Sequence, residues 1–119
     1  MKVLRVLVAE DDTITGMLLA ELLKSMGDDV CAIESTEADA VTAAARCRPD
    51  LMIVDVRLGE GSGVSAVEQI LRVGQVSHVF VCGNISGVRT LTPGTVIIQK
   101  PYREPELAQA IQRAISAGT

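Results

Sequence analysis

Five short apolar runs punctuate this chain, and longer amphipathic stretches separate them. The first run, Val3-Leu4-Arg5-Val6-Leu7-Val8-Ala9, is β-branched and nearly continuous, the pattern of a strand covered on both faces. Asp29–Glu34, Leu51–Asp55, residues 79–82 and residues 95–99 supply four more candidate strands. Between them the apolar spacing turns helical. Ile14, Met17, Leu18, Leu22 and Met26 recur at three and four residues, with Asp12 or Thr13 to cap the start and Gly27 to end the helix. Ser35 or Thr36 opens an Ala-rich helix to about Cys47, closed by Pro49; Thr36 with Asp39 resembles a capping box. Residues 64–73 form the third helix, with Val67, Ile70 and Leu71 inward. The last opens near Pro105 and carries a Leu107, Ile111, Ala114 and Ile115 stripe. Residues 83–94 have room for one or two helical turns. Strand and helix thus alternate five times, which predicts an α/β fold: a doubly wound parallel sheet with right-handed crossovers and helices on both faces.

Composition narrows the functions open to such a fold. At 119 residues and 12.6 kDa the chain suits one domain, residues 1–119. The apolar share of 48% argues against disorder. A net charge of −4 repels nucleic-acid phosphates, so no nucleic-acid partner is expected. No run is long enough to span a membrane, and the first is too short for a signal peptide. Cys31, Cys47 and Cys82 are odd in number and lack metal-ligand spacing, so they read as free thiols of a cytoplasmic protein. Scarce aromatic residues argue against a stacking platform.

In a sheet of this kind, function gathers at the carboxyl ends of the strands. Glu10-Asp11-Asp12 follows the first strand and Asp55 ends the third. Cys82-Gly83-Asn84 follows the fourth and Gln99-Lys100-Pro101 the fifth. Folding would therefore bring carboxylates and one ammonium into one crevice. Crowded carboxylates need a compensating charge, either a hard divalent cation or the Lys100 ammonium. With both, the crevice suits a phosphoryl group: cation and lysine neutralise its oxygens while a carboxylate attacks phosphorus. Asp55, alone at the end of an apolar strand, is the candidate nucleophile. Glu10 and Asp11 are better placed to hold metal, and Asp12 to cap the helix.

These residues resemble the receiver domain of two-component response regulators, across essentially the whole chain. The markers are Glu10-Asp11, Asp55, Gly63 in the following loop, and Lys100-Pro101. The resemblance implies a flavodoxin-like (βα)5 fold with strand order 2-1-3-4-5. It implies a phosphorylation switch in which a histidine kinase or phosphotransfer protein donates a phosphoryl group to Asp55. It also implies Mg²⁺ held by Asp11 and Asp55, by the Arg57 backbone carbonyl and, through water, by Glu10, with Lys100 on a phosphate oxygen. Such a domain assists its own phosphorylation and slow dephosphorylation and has no separate enzyme activity. The side chains of Arg57 and Asn84 are placed to modulate hydrolysis. Gly63 is expected to be a turn glycine at positive φ, and His78 a loop or strand-start residue.

Two positions depart from the family pattern. Cys82 stands where Thr or Ser is usual, and a thiol donates a weaker hydrogen bond than a hydroxyl. Ile97 stands where Tyr or Phe is common. The interval from Cys82 to Lys100 is also short, so a reduced or partly unwound fourth helix is expected there, in the most mobile part of the chain. The alternative reading is a degenerate receiver that binds partners without being phosphorylated. A flavin-binding relative of the fold would want a phosphate-cradling Ser/Thr/Gly loop where this chain has acids.

Overall fold

The computed structural model describes residues 2–84 and 94–117. Residues 85–93, which hold most of the stretch expected to form the shortened helix, lie outside the described residues. A five-stranded parallel sheet forms the centre of the molecule. Its strands are β1 (Arg5–Ala9), β2 (Asp29–Glu34), β3 (Leu51–Asp55), β6 (Ser77–Cys82) and β7 (Ile97–Gln99), in the order β2-β1-β3-β6-β7. Counting only these strands, that is the expected 2-1-3-4-5. Among the described residues the helices are α1 (Thr13–Ser25), α2 (Glu37–Cys47), α3 (Gly63–Leu71) and α4 (Glu104–Ala117).

Period-two alternation along the central strands divides the interior into two cores. Val6, Val8, Leu51, Ile53, Val79 and Val81 face one way, packing with Leu19 and Leu23 of α1 and Leu107 and Ile111 of α4. Leu7, Ala9, Met52, Val54 and Phe80 face the other way, against Ala40, Ala43 and Ala44 of α2 and Ala66, Val67 and Ile70 of α3. Both faces of β1 and β3 are covered, which is why those strands read as continuous apolar runs.

Helix ends follow the expected chemistry. Asp12 Oδ1 accepts the Thr15 N–H at 2.9 Å, and Thr36 Oγ1 accepts the Asp39 N–H at 3.1 Å. Gly27, at φ +93°, ends α1: its N–H donates to the Lys24 carbonyl, and the Asp28 N–H to the Leu23 carbonyl. This is the two-bond glycine C-cap. Arg48 closes α2 in the left-handed region at φ 49°, directly before Pro49.

Three expectations need correction. Only the C-terminal part of the α1 stripe, Leu22 and Met26, packs against the core. Ile14, Met17 and Leu18 are 69%, 58% and 65% exposed, while Gly16, Leu19, Ala20 and Leu23 are buried. Small residues at 16 and 20 let the helix lie close to the sheet; a Cβ at Gly16 would stand 3.2 Å from Ile33 Cγ2. The glycine-rich loop after Asp55 holds a hairpin, in which β4 (Arg57–Leu58) pairs antiparallel with β5 (Gly61–Ser62). Gly63 begins α3 without a positive φ; positive values occur at Gly27, Gly59 and Gly94. What Gly63 provides is close approach. Its N–H donates to the Val56 carbonyl at 2.8 Å, and a Cβ there would collide with the Asp55 carbonyl oxygen and stand 2.7 Å from Val54 Cγ1.

Candidate functional site: an acidic crevice closed by Lys100

Backbone pairing continues past each strand at the carboxyl edge. The Glu10 N–H donates to the Glu34 carbonyl at 2.9 Å, the Val56 N–H to the Val81 carbonyl at 2.9 Å, and the Lys100 N–H to the Cys82 carbonyl at 2.8 Å. Residues just beyond the apolar runs therefore leave the sheet in fixed directions. They meet in an open crevice of about 690 Å³, whose lining includes Asp11, Asp55, Arg57, Cys82, Asn84 and Lys100.

Lys100 joins the acids. Its Nζ donates to Glu10 Oε1 at 2.6 Å and to Asp55 Oδ2 at 2.9 Å, across 90 and 45 positions of sequence. The side chains of Glu10 and Asp55 are 5% and 12% exposed, and that of Lys100 29%. At such burial a missing partner would leave a desolvated charge, so the three groups depend on one another.

The pKa directions record this. Burial pushes the Glu10 carboxyl above its ordinary range; Lys100 and the Asp12 N–H pull it back in part, and the charge of Asp55 adds to the rise. Asp11 lies below its ordinary value: burial opposes this, but Glu10, the acid of the pair that holds its proton more tightly, and the N–H of Gly59 prevail. For Lys100, burial works against the ammonium, yet the bonds to Glu10 and Asp55 outweigh it and raise the pKa. Burial, then the neighbouring charge of Asp55, raises the Cys82 thiol, which stays protonated at neutral pH.

Oxygen atoms of Glu10, Asp11 and Asp55 all lie within 4.8 Å of one another. Opposite oxygens around a Mg²⁺-sized ion are roughly 4 Å apart. The cluster is close to that size and entirely of hard oxygen donors, so the residues fit such a cation. Asp11 is exposed and can turn, while Glu10 and Asp55 are held. Arg57, the first residue of β4, is exposed at the mouth. Cys82 is buried at the end of β6, and Ile97 opens β7, half-buried against the α2–α3 core. His78 is the second residue of β6, near the strand start as expected, edge-on to Phe80 with ring centres 5.4 Å apart.

The chain matches the response regulator receiver domain over residues 6–112. It belongs to that family. Among its relatives, PhyR of Methylorubrum extorquens is 28% identical over 116 residues, covering 92% of this chain and 43% of PhyR. PdtaR of Mycobacterium tuberculosis is 30% identical over 117 residues, covering 94% of this chain and 57% of PdtaR. The chain thus spans about half the length of these regulators. The chemotaxis protein CheY of Thermotoga maritima, 21% identical, is matched over 95% of its length. The solution structure of the Erythrobacter litoralis PhyR receiver domain superposes with a TM-score of 0.89 at 28% identity, covering 100% of this chain and 95% of that one.

One residue that supports the site carries no mark in the sequence. Glu37, the first residue of α2, accepts hydrogen bonds from Ser62, Ser65 and Gln69. Those partners lie 25 to 32 positions away, and an acid in a helix's first turn already has an ordinary explanation in the helix dipole. No local signal distinguishes it.

Proposed function

We propose that this receiver domain is a phosphoacceptor switch, with Asp55 as the acceptor. The observation that carries the reading is the Lys100 ammonium bridging Glu10 and Asp55. It is an anion-neutralising group already poised over an oriented nucleophile. In the transfer, an Asp55 carboxylate oxygen attacks phosphorus and the P–N bond of a donor phosphohistidine breaks. The bonding pair leaves with the imidazole, which takes up a proton. Lys100 follows the incoming charge by exchanging a carboxylate oxygen for a phosphoryl oxygen. Asp11 and Asp55, the Arg57 carbonyl and, through water, Glu10 are the groups that would hold Mg²⁺. When bound, it neutralises charge between nucleophile and phosphate. Cys82 reaches the same crevice and supplies a weak thiol donor where a hydroxyl is usual.

The donor is a histidine kinase or phosphotransfer protein, and the domain acts in the cytoplasm where such donors present their phosphohistidine. The exposed Ile14, Met17 and Leu18 follow directly on the acidic segment and offer a donor an apolar edge. Some PhyR structures similar to this chain are described as anti-anti-sigma factors, which makes a protein the expected output partner.

The test uses Mg²⁺ with beryllofluoride or a small phosphodonor, read by amide spectra. Shifts are expected around Asp55, Cys82 and Lys100, and Asp55→Ala or a chelator should remove them. A chain silent to both reagents is a degenerate receiver, and the reading fails.

A further inference from the structure

The β4–β5 hairpin carries Arg57 to the mouth of the crevice, yet little in its own sequence can hold it there. Its strands are two residues each, and a two-stranded ribbon is at best marginally stable alone. Leu58, 2% exposed, anchors it on the apolar side. Two carboxylates hold it by the backbone. Asp11 Oδ2 accepts the Gly59 N–H at 3.0 Å, and Glu37 Oε1 accepts the Ser62 N–H at 2.9 Å. The two acids are not equivalent. Asp11 belongs to the oxygen cluster and divides its carboxylate between the loop and the crevice. Glu37 is committed to the loop side. Its Oε2 accepts from Ser65 Oγ at 2.7 Å and Gln69 Nε2 at 2.8 Å, while Ser62 Oγ accepts the Ser65 N–H and so caps α3. Ser62 is in turn the cross-strand partner of Arg57. The Glu37 carboxylate therefore ties the start of α2, the first turns of α3 and the return strand of the hairpin into one unit. A Cβ at Gly61 would stand 3.1 Å from the Glu37 Cβ, so the hairpin passes close to this acid.

We propose that Glu37 is a positioning residue of the crevice. By holding Ser62 it keeps Arg57 in place when Asp11 turns toward a cation, and it thereby sets the affinity for divalent metal. This rests on the reading that the Arg57 carbonyl and the three acids hold Mg²⁺. Groups that orient a metal's ligands, without touching the metal, commonly change affinity by about 10-fold or more when removed.

Mg²⁺ alone is titrated into the full chain and followed by amide spectra, with Asp11→Asn as the reference for lost binding. Glu37→Ala is expected to weaken Mg²⁺ binding about 10-fold and to speed exchange of the Ser62 and Ser65 amides in the metal-free protein. Glu37→Gln keeps an acceptor oxygen for the Ser62 N–H and should restore most of the affinity. Wild-type affinity in Glu37→Ala overturns the proposal. So does equal weakening in Glu37→Gln, which would assign the effect to charge rather than to the anchor. If Glu37→Ala does not fold, the pair Ser65→Ala/Gln69→Ala strips the Oε2 side and must weaken Mg²⁺ in the same direction; unchanged affinity there also overturns it. A wild-type chain that ignores Mg²⁺ defeats the underlying reading instead, and the metal-free exchange rates at Ser62 still report on the anchor.

Discussion

Lys100 compensates two buried carboxylates at once, so its removal exposes an asymmetry. Deleting one member of a buried charged cluster leaves an uncompensated charge behind, at a cost of about 3 kcal/mol. Lys100→Ala should lower the metal-free unfolding free energy by that amount in urea titrations. Asp55→Asn should not, because it removes repulsion from Glu10 while Glu10 keeps the lysine. If the two variants lost equal stability, the ion bridge would not be what holds the crevice together. Gly63 makes a separate residue-scale case. A methyl there would meet the Asp55 carbonyl oxygen. Relieving the clash must move α3 or the end of β3, since neither backbone has slack at this approach. Gly63→Ala should cost about 3 kcal/mol, toward the upper end for overpacking, and move the amide resonance of Asp55. A melting temperature equal to wild type would mean that the approach relaxes freely.

At the scale of elements, α1 shows where period reading stops. Apolar and small residues occupy two overlapping faces of this helix, Ile14-Met17-Leu18-Leu22 and Gly16-Leu19-Ala20-Leu23. Both satisfy three-and-four spacing, so local sequence establishes a helix without setting its rotation. The sheet chooses the face with small residues, because it allows closer packing; Ile14, Met17 and Leu18 are left outside, and Leu22 packs at the edge of the core. Charge on that outer face should be harmless to folding: Met17→Lys and Leu18→Lys should change stability by less than about 0.5 kcal/mol. Both should slow phosphoryl transfer from a protein donor while leaving a small phosphodonor unaffected. Equal rates from both donors would remove α1 from the docking surface. By contrast, α4 has a single apolar stripe, and its Leu107, Ile111 and Ala114 are buried as its spacing predicts.

Across the whole molecule, acid groups shifted in opposite directions shape the pH dependence. Burial raises the folded-state pKa of Glu10 above its ordinary 4.5. As pH rises past 4.5 the unfolded chain releases this proton first, so Glu10 costs stability until its folded pKa is passed. Glu37 is shifted the other way, mainly by the Ser62 N–H. Its contribution is complete above 4.5 and is lost as pH falls through its lowered folded pKa. Glu10 should therefore make metal-free stability decline as pH rises from 4.5 through its raised folded pKa. Melting temperatures across a pH series should show that decline, and Glu10→Gln should flatten it. A decline that survives in Glu10→Gln would place its origin elsewhere.

The order of strands and helices, and the gathering of Glu10, Asp11, Asp55 and Lys100 at one edge, were determined by the sequence alone. Apolar runs and helical spacing are local signals, and the rule that polar strand ends converge follows from parallel topology. The rotation of α1, the hairpin after Asp55, the reason for a glycine at 63 and the reach of Glu37 to Ser62 were decided only in three dimensions. Each depends on which surfaces come within a few ångströms of one another, and a contact between residues 25 or more positions apart leaves no period in the chain to mark it.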